Sequence, residues 1–236
     1  MIDNSILNRN NSSSLKTNLK APYVFHLDGA TKSFGTVKAL RNVNLTINKG
    51  EVLFITGKSG AGKSTLLNVL ARDIQLDSGQ VEHPNSKNIF IAQVFQDLKL
   101  MENRTCSENL WVSFDSKIYK NKNEFEQDMR ELSRVLGFSE FMDIKIKDAN
   151  GGLKQKIAMV RALLSKPQVL LADEPTAALD KESAMKLFEI LNFYNVRKNL
   201  TVIWASHNRD LVKQFPGTIV HLDGGNLVYS GHACFI

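Results

Sequence analysis

The sequence predicts an α/β fold: a parallel β-sheet core with an antiparallel β subdomain and an inserted α-helical subdomain. Continuous apolar runs such as residues 169–172 alternate with helical stretches, which is typical of a parallel sheet covered on both faces. Residues 57–64 read GKSGAGKS, a complete phosphate-loop motif between a predicted strand and a predicted helix. Residues 106–148 have helical spacing and no strong strand pattern. The length of 236 residues suits one α/β domain or at most two small ones.

The composition bounds the location and the partners of the chain. No stretch approaches the ~20 apolar residues that a membrane-spanning helix needs. The first residues, MIDNSILNRN, lack the apolar segment of a signal peptide, so we expect a chain that stays in the cytosol. Two cysteines are too few for a disulfide scaffold. The 30 Lys+Arg residues exceed the 24 Asp+Glu residues by a net charge of +6, which indicates a nucleotide, a nucleic acid or an anionic membrane as partner.

The chain divides into a predicted tail and one predicted domain. Residues 1–21 are rich in Asn and Ser and lack apolar periodicity, which predicts a flexible N-terminal tail. Residues 22–236 are predicted to form the folded domain. Its first two segments, 23–27 and 43–47, alternate apolar and polar residues, and a turn follows at 48–50. We expect these segments to be strands of the antiparallel subdomain.

After residue 51, predicted strands alternate with predicted helices. The strands are expected at 52–56, 89–95, 168–173 and 201–206. The helices are expected at 63–71, 155–164 and 181–194. The helical subdomain is expected at about 104–165, with one apolar face formed by Leu132, Leu136 and Phe138. A closing hairpin is expected from 218–222 and 226–229, around the turn residues DGG.

The phosphate loop predicts a P-loop NTPase. Its glycines allow backbone N–H groups to point inward around an anion, and the following helix adds its N-terminal N–H groups. Lys63 is expected to reach the β and γ phosphates, Ser64 to bind Mg²⁺, and Thr65 to contact the α phosphate. The predicted nucleotide-binding residues of this loop are Gly57, Lys58, Ser59, Gly60, Ala61, Gly62, Lys63, Ser64 and Thr65.

The loop alone does not separate an ATPase from a GTPase or a kinase. A GTPase would carry an N-K-x-D element after the loop to bind guanine. Residues 48–51 read NKGE, but they precede the loop and end in Glu, so they are interpreted as a turn.

Two adjacent carboxylates, Asp173 and Glu174, end the predicted strand at 169–174, which reads VLLADE. Because side chains alternate along a strand, the two are expected to point in different directions and to serve different purposes. Asp173 is expected to hold Mg²⁺, and Glu174 to act as the general base on the attacking water.

From this point the sequence resembles a known family. The stretch 174–180, EPTAALD, is similar to the D-E-P-T-x-x-L-D stretch of the ATP-binding-cassette (ABC) ATPases, and the resemblance extends over nearly the whole chain from about residue 23. It implies the ABC ATPase fold, ATP and Mg²⁺ as cofactors, and roles for three further residues. Gln96 resembles the Q-loop glutamine that contacts Mg²⁺ and couples to the membrane partner. His207 resembles the switch histidine at the γ phosphate, and Phe34 the aromatic residue that stacks on adenine.

The family's L-S-G-G-Q signature aligns with residues 149–153, which read ANGGL. In the family this segment covers the γ phosphate held by an opposite subunit, so the resemblance implies a homodimer with ATP between the copies. Asn150, Gly151 and Gly152 are then nucleotide-binding residues, and the amide of Asn150 replaces a serine hydroxyl as donor. Leu153 lacks the polar group of the signature. We therefore hypothesise intact binding with slow hydrolysis.

Within the family, residues 54–67, 95–105 and 170–176 are similar to the FtsE cell-division ATPases, with the LolD lipoprotein-release ATPases next. The resemblance to FtsE implies an integral membrane partner of the FtsX type and control of peptidoglycan hydrolysis. It also implies a peripheral location on the cytoplasmic face of the inner membrane. The partner is expected to dock near Gln96, on apolar residues that are alternatively subdomain core: Leu98, Leu100, Met101 and Trp111.

Two other classes of function remain open. A cassette protein acting on DNA or ribosomes would fit the basic charge, but such proteins generally carry two cassettes or a long coiled-coil insertion, so no nucleic-acid partner is expected. The altered signature is compatible with an ATP-dependent switch or scaffold of low turnover.

Overall fold

The computed structural model describes residues 23–83, 89–208 and 212–233, so the predicted tail at 1–21 lies outside the described residues. The strands are β1 (Tyr23–Phe34), β2 (Val37–Asn48), β3 (Val52–Thr56), β4 (Ser78–Glu82), β5 (Ile91–Val94), β6 (Val169–Asp173), β7 (Thr201–Ser206), β8 (Gly217–Asp223) and β9 (Asn226–Ala233). The α-helices are α1 (Lys63–Leu70), α2 (Cys106–Trp111), α3 (Lys122–Val135), α4 (Gly151–Leu164) and α5 (Lys181–Lys198). Short 3₁₀ turns occupy Ser139–Phe141 and Ile146–Asp148.

The core of the domain is a six-stranded sheet of order β5-β6-β7-β3-β8-β9. The first five strands run parallel, and β9 pairs antiparallel with β8. Every residue of β7 is buried, as expected for a strand covered on both faces. This arrangement confirms the predicted α/β fold. It also brings the carboxyl ends of β3, β6 and β7 to one edge, where ligands of such sheets bind.

A three-stranded antiparallel sheet of order β2-β1-β4 forms the second layer. Strands were predicted at 23–27 and 43–47, and both lie within β1 and β2, which are 12 residues each. Strand β4 was not predicted, because its sequence SGQVE has little apolar character. Gly79, the second residue of β4, approaches β1 so closely that a Cβ would lie 2.3 Å from the carbonyl oxygen of Gly29. A glycine is therefore needed for this pairing.

Helices α2, α3 and α4 lie between 106 and 164, within the predicted helical subdomain. Leu132, Leu136 and Phe138 are buried in one cluster with α4, as the periodicity predicted. Trp111 is partly buried against the same cluster, and its ring centroid lies 4.9 Å from that of Phe125. Trp111 thus contributes to the core of the helical region.

Two helix boundaries lie four residues from their predicted positions. Helix α4 begins at Gly151, four residues before the predicted start at 155, because the side chain of Asn150 caps it. Helix α5 continues to Lys198 and ends at Asn199, which has a left-handed φ of 55°. Within the described residues, no helix has both the length and the apolar character that crossing a membrane requires.

Candidate functional site

The phosphate loop joins β3 to α1 and depends on close backbone approach. A Cβ on Gly62 would lie 2.2 Å from the carbonyl oxygen of Ala39, and φ at Gly62 is 107°. A Cβ on Gly57 would lie 2.4 Å from the carbonyl oxygen of Leu222. These positions require glycine for both space and conformation. The tight loop therefore leads into the N-terminus of α1, where the first N–H groups of the helix can bind an anion.

Lys63 is held inside this loop. Its side chain is only 8% exposed, and its Nζ donates to the carbonyl oxygens of Gly57 at 2.9 Å and Lys58 at 3.1 Å. The same Nζ lies 4.0 Å from Oε1 of Glu174. A buried ammonium group between the loop and a carboxylate is well placed to attract a phosphate.

Most of the predicted site residues meet around one cavity of about 830 Å³. Three residues that were not predicted to bind nucleotide, Val37, Ala39 and Ala177, also line it. One predicted residue of the loop, Ala61, is not part of this lining. Its carbonyl oxygen accepts from the backbone N–H of Gly225 at 3.1 Å. The predicted residues that line the cavity are Gly57, Lys58, Ser59, Gly60, Gly62, Lys63, Ser64, Thr65, Gln96, Asp173, Glu174 and His207.

Asp173 ends β6 at the rim of this cavity. Burial raises the pKa of its carboxyl, a hydrogen bond with Ser64 opposes that rise, and the nearby charge of Glu174 adds to it. Among the described residues, no group of three or more His, Cys, Asp or Glu side chains is arranged to hold a metal. Mg²⁺ does not need such a group, because it is usually held by one or two protein oxygens together with substrate phosphates. The hydroxyl of Ser64, the carboxylate of Asp173 and the amide of Gln96 fit that pattern.

Glu174 follows Asp173, and its carboxylate is held by Ser206, the last residue of β7, and by His207, the next residue. The backbone N–H of His207 and its Nδ1 each lie 2.8 Å from Oε1 of Glu174. The hydroxyl of Ser206 donates to Oε2 at a longer distance, 3.3 Å. Sequence reasoning missed Ser206, although it directly precedes His207. Because Oε1 already accepts from the backbone N–H of His207 and also lies against its ring, Oε2 is the oxygen better placed to take a proton from water.

Phe34, the predicted adenine contact, lies outside the described lining of this cavity. It ends β1 with 50% of its surface exposed, and the Nζ of Lys32 lies 5.6 Å from its ring centroid. Val37, at the start of β2, lines the cavity and is 64% exposed. The apolar surface beside the phosphate loop therefore includes a residue of β2 that the sequence did not indicate. The stacking role of Phe34 remains a prediction.

The predicted signature residues line a second cavity of about 680 Å³. Oδ1 of Asn150 accepts from the backbone N–H of Leu153 at 2.8 Å, so its Nδ2 remains the donor. The two glycines pack tightly against Ala178. A Cβ on Gly151 would lie 3.3 Å from Cβ of Ala178, and a Cβ on Gly152 would lie 3.1 Å from the carbonyl oxygen of Ala178. Leu153 is buried, which explains an apolar residue at this point of the signature.

The two cavities separate the predicted nucleotide-binding residues into two groups. The phosphate loop, the carboxylates, Gln96 and His207 line the first cavity, and Asn150, Gly151 and Gly152 line the second. Within one chain, the signature segment therefore does not share a cavity with the phosphate loop.

The segment after Gln96 has an unusual backbone that α4 supports. Leu98 and Lys99 have positive φ values of 57° and 47°. The guanidinium of Arg161 donates to the carbonyl oxygens of both residues at 2.7 Å. Among the residues predicted to dock a partner, Leu98, Leu100 and Trp111 pack against the core and Met101 is exposed. The structure thus assigns most of this apolar set to internal packing.

The sequence profile of the ABC transporter family matches residues 40–177, more than half of the chain. The chain belongs to this family. It is an ABC-type ATPase domain, and it is therefore expected to bind and hydrolyse ATP. Cassettes of this family pair with each other and with membrane transporter components, and the same is expected of this chain. The matched range contains the phosphate loop, both carboxylates and the signature segment.

The curated relatives include import ATPases. The phosphonates import ATP-binding protein PhnC of Fusobacterium nucleatum is 32% identical over 228 residues, covering 87% of this chain and 91% of that protein. The methionine import ATP-binding protein MetN 1 of Paraburkholderia xenovorans is 35% identical over 212 residues, covering 84% of this chain but 60% of that longer protein. These relatives do not support the predicted resemblance to FtsE.

Two solved structures of ABC cassettes share the fold. The dimeric structure of a post-hydrolysis state of the cassette MJ0796, bound to ADP and Pi, has a TM-score of 0.77 at 27% identity and covers 90% of this chain and 100% of that one. A second dimeric structure of the same cassette has a TM-score of 0.78 at 27% identity with the same coverage. They confirm the predicted ABC ATPase-type P-loop fold.

Proposed function

We propose that this chain is the ATP-hydrolysing subunit of a membrane ABC importer, and that two copies enclose two ATP molecules. The observation that carries the proposal is the division of the site between two cavities. The first holds the phosphate loop with Asp173 and Glu174, and the second holds Asn150 with the two glycines. A second copy, turned to face the first, supplies the missing half of each site.

Each residue of the first cavity has a chemical role in this proposal. Lys63 neutralises the terminal phosphates, and Glu174 takes a proton from the attacking water through Oε2. Ser64, Asp173 and Gln96 would hold Mg²⁺, which supplies positive charge next to the phosphate oxygens. His207 orients the general base and lies exposed at the rim, where the partner copy would approach.

We propose import in preference to the FtsE-like role in cell division and to lipoprotein release, because the relatives described above are import ATPases. The membrane partner is then a permease for a solute, and this chain binds to it at the cytoplasmic face of the membrane. Purification of the chain from detergent extracts tests this choice. An FtsX-like protein as the co-purifying partner contradicts it, and a solute permease supports it.

A second candidate, an ATP-dependent switch with little turnover, is favoured by one observation, the signature sequence ANGGL. Steady-state ATP hydrolysis separates the two candidates. The proposal expects Mg²⁺-dependent hydrolysis by the wild-type chain and a loss of about 100-fold or more in Glu174→Gln, since general-base catalysis contributes about 10²–10⁴-fold. ATP binding should persist in that variant. Equal, very slow rates for both proteins support the switch.

A further inference from the structure

A buried glutamine connects the signature helix to the general base. Gln155 lies in the second turn of α4, and 5% of its surface is exposed. Its Nε2 donates to the backbone carbonyl oxygen of Glu174 at 3.0 Å. The first turn of the same helix contains Gly151 and Gly152 and is capped by Asn150. One rigid element therefore contacts both the second cavity and the backbone of the general base.

The backbone of Glu174 needs external support. Its φ is 50°, in the left-handed region that residues with a side chain seldom adopt. Its N–H donates to the carbonyl oxygen of Ala205 at 2.9 Å, and its carbonyl oxygen also accepts from Ala177 at 3.0 Å. Those two contacts come from strand β7 and from the turn that follows Glu174. The contact from Gln155 is the one that ties this peptide to α4.

We propose that Gln155 is a positioning residue for ATP hydrolysis: it fixes the left-handed peptide of Glu174 so that the carboxylate faces the phosphate loop. This inference rests on the proposed function and deepens it. Because Gln155 and the signature share α4, an anion that orders the first turn of α4 also orders the peptide that carries the base. The second copy's nucleotide thereby favours the productive geometry of this copy's Glu174.

The test compares two glutamines that each contact a backbone group. Gln155→Met keeps the length of the side chain and its apolar packing but removes the donor. Gln168→Met is the matched control, since the side chain of Gln168 accepts from the backbone N–H of Phe90 at the opposite end of β6. For Gln155→Met we expect kcat to fall about 10-fold or more, because small displacements of catalytic groups cost that much. ATP affinity should stay within about 2-fold of wild type. Gln168→Met should keep both values.

A double variant separates positioning from general structural support. In the Glu174→Gln background, Gln155→Met should cause no further loss of single-turnover rate, because the group it positions is already gone. An equal loss in both backgrounds overturns the proposal, as does an unchanged kcat in Gln155→Met. If circular dichroism shows that Gln155→Met does not fold, Gln155→Asn replaces it in the test. The asparagine side chain is too short to reach the carbonyl oxygen of Glu174.

The control measurements distinguish this failure from failure of the proposed function. A wild-type chain without Glu174-dependent hydrolysis overturns the proposed function and this inference with it. Hydrolysis that depends on Glu174 but is the same in Gln155→Met and Gln168→Met overturns the role of Gln155 alone.

Discussion

His207 contacts the carboxylate of Glu174 through two nitrogen atoms, since its backbone N–H and its Nδ1 both lie 2.8 Å from Oε1. Both contacts use the same oxygen and leave Oε2 with the weaker contact to Ser206 at 3.3 Å. His207 therefore occupies Oε1 and leaves Oε2 of Glu174, the proposed general base, more open to an attacking water.

Removal of the His207 ring should reduce the rate of hydrolysis more than nucleotide binding. His207→Ala keeps the backbone contact and loses the one from Nδ1, so the carboxylate is held less firmly. We expect kcat to fall about 10- to 100-fold, a range typical of a misplaced catalytic group. Steady-state kinetics and equilibrium ATP binding measure the two effects. A variant with wild-type kcat, or one whose only defect is weak ATP binding, contradicts this role.

The contacts around Glu174 also mark the limit of what sequence patterns predict. The phosphate loop and the adjacent carboxylates were predicted because each is a local pattern at the end of an apolar strand. Ser206 and Gln155 were missed because their contacts with Glu174 depend on how β7 and α4 pack against β6. No local spacing encodes those distances.

The same limit explains the differences elsewhere in the fold. Strand β4 has little apolar pattern, and it forms because Gly79 allows a close approach to β1. The positive φ values of Leu98 and Lys99 depend on a guanidinium that lies more than 60 residues away in sequence. By contrast, β7 was predicted with its observed boundaries, because a strand buried on both faces is apolar along its whole length.

Asn150→Ser should raise basal ATP turnover. Serine caps a helix about as well as asparagine, so α4 should keep its N-terminus, and the hydroxyl restores the group found in the family's signature. We expect turnover to rise about 10-fold, which corresponds to ~1.4 kcal/mol of transition-state stabilisation. Steady-state hydrolysis at concentrations that allow two copies to pair measures the change.

Asn121→Ser is the matched control for this prediction. Asn121 caps α3 with the same kind of hydrogen bond, since its side chain accepts from the backbone N–H of Glu124 at 2.9 Å. It lines neither of the two cavities as described. Equal turnover in wild type, Asn121→Ser and Asn150→Ser would show that the altered signature does not limit the rate.

Gly62→Ala should weaken nucleotide binding and destabilise the fold. The added Cβ would lie 2.2 Å from the carbonyl oxygen of Ala39, so either the phosphate loop or β2 must move. Gly224→Ala is the control, because φ there is 51° but the added Cβ has no neighbour within 4 Å. The control should lose about 1 kcal/mol of unfolding free energy from backbone strain.

Gly62→Ala should lose more unfolding free energy than this control, with at least about 10-fold weaker ATP binding, equivalent to ~1.4 kcal/mol. Chemical denaturation and equilibrium binding measure the two quantities. Equal destabilisation in the two variants would mean that the loop relaxes without a collision.

His83 should make the stability of the domain sensitive to mild acid. Its ring is half-buried, with its centroid 4.9 Å from that of Phe25 in an edge-on arrangement. Burial lowers the pKa of His83 from 6.5 to about 4, and the positive charge of Arg72 adds to this effect. In the unfolded chain His83 takes up a proton near pH 6.5, whereas in the folded chain it stays neutral until about pH 4.

The unfolded state therefore binds more protons between these two pH values, and the contribution of His83 to stability is lost as the pH falls from 6.5 to about 4. His83→Phe keeps an aromatic ring against Phe25 and removes the titrating group. Urea denaturation at several pH values between 4 and 7.5 should show a smaller loss of unfolding free energy in His83→Phe than in wild type. Because the carboxylates are common to both proteins, the difference between the two curves isolates His83. Parallel curves over this window would contradict the lowered pKa, since a histidine with the same pKa in both states adds no pH dependence to folding.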